Sequence, residues 1–197
     1  MLQKFMLSMV LLSLIVSVNS ASGYGKHGKK GKKSHRREVF SKRPSSYKKE
    51  VNKWLKTLPE DQAIQAQKIF HYLTTSMKMG SKYARDEHYQ KAIDVWSKRA
   101  RLSLPSFFET APSILKSFKA HSYQRIGVHY SKMKKTNEAI EFLNKALIEI
   151  KDKNSGFLKS MIMKDLIKVY HQSGQKEKAF ELMEKSLNDA SSGLTFE

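Results

Sequence analysis

The chain has 197 residues, a formal charge of +19 and a pI near 10.0, and it contains no cysteine. Without cysteine there is no disulfide, thiolate metal site or cysteine nucleophile, so a folded part must be held by packing alone. The charge points to anionic partners (nucleic acid, anionic lipid, sulfated polysaccharide or acidic protein) without choosing among them. Residues 1–20 read as a secretory signal peptide: Lys4 gives a short positive start, Phe5 to Val18 is apolar apart from three serines, and Val18 and Ser20 suit the −3 and −1 positions of a cleavage site. The run is short for a membrane anchor and lacks a basic stop-transfer cluster at its end. Secretion is therefore expected, and genomic DNA is not expected as a partner.

Residues 21–49 form a tail rich in lysine, arginine and glycine. It has no apolar period and too little apolar surface to offset ordering entropy, which predicts disorder. Lys29, Lys30, Lys32, Lys33, Arg36 and Arg37 make a dense cationic cluster. Two roles stay open for it: a solvated leader, or an electrostatic tether to a polyanion. Arg36-Arg37 is also a dibasic pair at which processing can remove the tail. His27 and His35 lie among lysines, which oppose a bound cation.

From about Tyr47 onward apolar residues recur at three- and four-residue spacing, with no alternating strand pattern of useful length. Val51, Trp54, Leu55 and Leu58 form a first stripe. Pro59, Glu60 and Asp61 read as a helix start, with proline in the first turn and acids at the positive helix end. Breaks at Asp86–Glu87, Leu104-Pro105, Lys134–Thr136, Lys153–Gly156 and Ser173-Gly174 predict about seven helices. Phe107-Phe108, after Pro105, reads as a hydrophobic hinge in preference to an exposed anchor.

Three segments align on one template. The clearest holds Tyr123, Ile126, Gly127 and Tyr130, then Ala139, Leu143 and Ala146. Another holds Leu166, Tyr170, Gly174, Ala179, Met183 and Ser186, and an earlier one Met79, Gly80 and Tyr83, then Tyr89, Ala92, Trp96 and Ala100. In this the sequence resembles the tetratricopeptide repeat family. The resemblance implies an all-α fold of antiparallel helix pairs wound into a right-handed superhelix, over residues 50–193, with repeats near 73–105, 120–153 and 160–192. Ala92, Ala139 and Ala179 are spaced by 47 and 40 residues, against a family period of 34. The surplus would lie in longer helices and in the 105–112 connection. Ile167 stands where the family has a small residue, and Arg99 and Ser186 where it has alanine.

No nucleophile elbow or hydrolase motif is present, and the GKHGKKGKKS stretch follows no strand, as a phosphate-binding loop would need. His71, His88, His121, His129 and His171 are scattered and form no ligand pair, and Asp86-Glu87-His88 reads as turn and cap. Neither an enzyme, a metal site nor a cofactor is expected. The resemblance implies that the first helix of each repeat lines a concave face taking an extended peptide; here that face would include Arg85, Arg125, Lys132, Lys164, Lys168 and His171. The expected function is a secreted protein-binding scaffold that favours a protein or acidic polymer. The alternatives are a matrix component bridging acidic extracellular polymers through its tail, and, more weakly, a cationic membrane-active factor.

Overall fold

The computed structural model describes residues 44–150 and 156–191. Contacts divide the chain at Arg43/Pro44, and the unit from Pro44 onward holds every described element. The expected signal peptide and the cationic cluster at 29–37 lie outside the described residues. The described part is all-helical: α1 (Pro44–Leu55), α2 (Glu60–Arg85), α3 (Tyr89–Ala100), a 3-10 turn (Ser106–Thr110), the single-turn α4 (Ser113–Lys116), α5 (Phe118–Lys132), α6 (Thr136–Glu149), α7 (Gly156–Gln172) and α8 (Lys176–Ser191). Apart from the single turn, these are seven helices. Helix α1 begins at Pro44, inside the segment read as tail. Proline is pre-set for the first helical position, a local signal that charge density masked.

Helices α2–α3, α5–α6 and α7–α8 are three pairs joined by one kind of turn. At each, a backbone N–H reaches back five residues to a tyrosine carbonyl: His88 to Tyr83 at 2.8 Å, Lys135 to Tyr130 at 2.9 Å and Gln175 to Tyr170 at 2.9 Å. The residue before each donor is left-handed: Glu87 (φ 59°), Lys134 (φ 60°) and Gly174 (φ 77°). This is the helix-ending motif that glycine usually provides, and two of the three turns make it without glycine. The Asp86–His88 segment is thus a turn, as read. It is closed by backbone bonds, and His88 makes no side-chain capping bond.

Small residues let paired helices approach. Ala92, Ala139 and Ala146 are fully buried and Ala179 nearly so. A Cβ on Gly80 would stand 2.6 Å from Trp96 Cε2, and one on Gly127 would stand 2.7 Å from Leu143 Cγ and 3.0 Å from the Ala139 carbonyl oxygen. Each glycine therefore accommodates one large side chain of the partner helix, and Trp96 and Leu143 occupy equivalent positions. In the third pair the place of the glycine is taken by Ile167, and Met183, the equivalent of Trp96 and Leu143, is 42% exposed.

The pairs stack through the next first helix. Ile126 of α5 joins Ala92, Ile93 and Trp96 of α3 in one core cluster. Ile162 and Leu166 of α7 join Ala139, Leu143 and Ala146 of α6 in another. The long connection between α3 and α5 folds over α1. Phe108 is buried with its ring 5.1 Å edge-on from that of Trp54, and Trp54 Nε1–H donates to Thr110 Oγ1 at 3.0 Å. The paired phenylalanines are packing residues, and they hold α1.

Candidate functional site

Two hollows open on the face formed by the first helices. The larger, about 640 Å³, lies between α2, α3 and α5. Lys78, Ser81 and Arg85 come from α2, Tyr89 from α3, and Arg125, His129 and Lys132 from α5, with Met77, Val128 and Trp96 as the apolar part. No acidic side chain lines it. The smaller, about 440 Å³, is bounded by Lys132, Lys134, Lys168 and Gln172 among others. Lys132 borders both.

The repeat frame explains this charge. Five positions before the turn tyrosine stand Lys78, Arg125 and Asp165, and two positions after it stand Arg85, Lys132 and Gln172. The first two pairs thus place cations at both positions, and the third places none. Of the six residues expected on this face, Arg85, Arg125 and Lys132 come together in the larger hollow, and Lys168 joins Lys132 in the smaller. Lys164 and His171 are exposed on α7 and line neither. Sequence reasoning missed Lys78, Ser81, Tyr89 and His129. Ser81 and Lys78 lie four and seven residues before Arg85, and His129 lies four after Arg125, so helical spacing alone would have added them to the same face.

Several buried polar groups stand near this face. His129 is buried, its ring stacked 6.0 Å from that of Tyr89, and neither His129 Nε2 nor Arg125 Nε has a hydrogen-bond partner among the described residues. Asp165 accepts a 2.6 Å bond from Gln124 Nε2. Burial pushes the Asp165 carboxyl up, against the opposing pull of Gln124, Arg125, Lys168 and Lys164. Burial, and then the nearby Arg125, holds His129 down at about 4. His121, edge-on to Trp96 at 5.6 Å, is held at about 3 by burial, then by Arg125 and Arg99.

These histidines make a pH prediction. Both have folded pKa values below the unfolded 6.5, so the unfolded chain binds more protons and acid favours unfolding. The contribution of the two histidines is flat above pH 6.5 and falls as pH drops from there to about 4, where His129 takes up its proton, and on to about 3 for His121, while the raised Asp165 carboxyl contributes with the opposite sign. Within its window each histidine contributes a slope of roughly 1.4 kcal/mol per pH unit. Urea midpoints measured between neutral pH and pH 5 should show the fall, and His121→Gln should roughly halve it, leaving the part due to His129. Equal slopes for wild type and variant would contradict the assignment.

The pair α5–α6 carries the complete glycine, tyrosine, alanine and leucine set. Residues 120–147 match the family model described as Tetratricopeptide repeat. The match spans most of both helices of that pair, and the other two pairs share its turn geometry and the alanine nine positions after the turn tyrosine, Ala92 and Ala179. No curated protein matches the chain. A tetratricopeptide repeat is a protein–protein interaction module, so at that level the helix array is a protein-binding one. Among the described residues no helix is long and apolar enough to cross a membrane.

Proposed function

We propose that this protein is a secreted, non-enzymatic binding module whose groove takes an extended acidic stretch of a partner protein. One observation carries the reading. Lys78, Arg85, Arg125 and Lys132 surround a hollow with an apolar floor and no acidic lining residue. Four cations around such a floor favour carboxylates spaced along an extended chain, with an apolar side chain between them. The acidic stretch would lie along the first two pairs, because Asp165 takes the equivalent cationic position in the third. Secretion rests on residues 1–20, and the basic segment that follows them adds general attraction for the same kind of partner.

The test uses a fluorescent glutamate-rich peptide. Arg85 and Lys132 have exposed side chains, so Arg85→Glu with Lys132→Glu should leave helical content unchanged. The double variant should weaken binding by roughly tenfold or more, equivalent to about 1.4 kcal/mol. Lys164→Glu with Lys168→Glu should weaken it less. Binding that survives the first variant but disappears when residues 23–43, the part of the basic segment before α1, are removed would overturn the groove and favour the matrix reading. In either case added salt should reduce affinity, because the contacts are between exposed charges.

A further inference from the structure

The repeat frame also shows what the two ends of the array lack. Ten and seventeen positions after each turn tyrosine stand Ile93 and Ala100, then Ile140 and Leu147, then Phe180 and Leu187. The first two of these pairs are buried or half-buried beneath the helix that follows. On α8, Phe180 is 63% and Leu187 68% exposed, and Met183 lies between them on the same face. The opposite end mirrors this. Four positions before the tyrosine, Ile126 and Leu166 are buried against the preceding pair, and Met79 of α2 is 46% exposed. One position before it, His129 and Val169 are buried and Lys82 is exposed. The α8 face thus has the form that receives a first helix, and the outer α2 face has the form that inserts into a second helix. A repeat array must close or cover such ends.

We infer that α8 of one copy receives α2 of a second copy, head to tail. Charge selects this pairing. Glu177, Glu181 and Glu184 lie together on one flank of the α8 stripe. On α2, Lys68 and Lys82 share the exposed face with Ile64, Tyr72 and Met79, and the only acids of that helix are Glu60 and Asp61 in its first turn. An acid-flanked apolar face meets a lysine-flanked one. Two α8 faces brought together would instead share three glutamates each. The α2 face in question is distinct from the one that lines the groove, so assembly leaves the groove open. A head-to-tail contact does not close on itself in a dimer, so association should continue beyond two copies.

The full chain has a mass of 22.7 kDa. Sedimentation equilibrium should give a weight-average mass that rises with concentration and passes twice that value without a plateau. Phe180→Glu with Leu187→Glu should return it to the monomer mass with helical content unchanged, since both side chains are exposed. Because the chain has no cysteine, introduced pairs report the geometry cleanly. Met79→Cys mixed with Met183→Cys should give a mixed disulfide, and Met183→Cys alone should not. A disulfide of Met183→Cys with itself, or a plateau at two copies, would overturn the head-to-tail arrangement in favour of a symmetric dimer. Monomer mass at every concentration would overturn self-association. If the monomer begins to associate only when residues 192–197 are removed, the chain's own end covers α8, and the inference fails.

Discussion

Replacing Gly80 with alanine should destabilise the protein, against the usual effect of that change in a helix. In an open helix interior alanine is better than glycine by about 0.8–1 kcal/mol. Here the added Cβ would lie 2.6 Å from Trp96 Cε2 and 2.7 Å from its Nε1. Trp96 is fully buried, so the indole cannot swing aside into solvent. Either the helices separate or the ring leaves its rotamer, at about 1–3 kcal/mol. Set against the propensity gain, this leaves a net loss of up to about 2 kcal/mol. Gly127→Ala should behave alike, because it meets Leu143 Cγ and a backbone oxygen. Gly156→Ala, with nothing within 4 Å, is the control and should cost nothing. Urea melts of the three variants decide the matter, and a stable Gly80→Ala would show that the pair is not cinched there.

The largest single loss should come from Trp96→Ala. The ring fills the space between α2 and α3, meets His121 edge-on and has the Arg99 guanidinium 5.6 Å from its centroid. Deleting it should cost about 3–5 kcal/mol, from lost burial and from the cavity left behind. The two substitutions should also couple. In the Trp96→Ala background there is no indole to strike, so Gly80→Ala should become neutral or stabilising there. A double-mutant cycle should therefore give an interaction energy on the order of 1–3 kcal/mol. Strict additivity would mean that Gly80 and Trp96 do not face each other.

The frame of the fold was legible because it is written in residue size. Gly80, Gly127, Ala92, Ala139 and Ala179 recur with Tyr83, Tyr130 and Tyr170 at fixed offsets, and those offsets fix which helix faces meet. The breaks at Asp86–Glu87, Lys134–Thr136 and Ser173-Gly174 fall at the turns between paired helices. The face was legible in part. Arg85, Arg125 and Lys132 follow from the frame, but in a chain of +19 a lysine on a helix is a weak signal, and Lys164 and His171 came with them. The opposite sign of Asp165 in the frame is the better marker of where the basic stretch stops. In the sequence His129 is one of several scattered histidines, because burial of a polar ring depends on what α3 and α5 place around it. The start of α1 at Pro44 was hidden by lysines that look the same in a helix and in a tail.

The uneven fastening of the three pairs also sets the order in which the array comes apart. The first two pairs are each locked by a large side chain seated over a glycine. The third has Ile167 and a half-outward Met183 in those places. In a stacked array each unit leans only on its neighbours, so opening starts where the lock is weakest. Pulled or warmed, α7 and α8 would peel away first and leave α2 to α6 intact, with the larger hollow still formed. That hollow belongs to the part of the protein that lets go last, and its grip on a ligand is insulated from fraying at the far end.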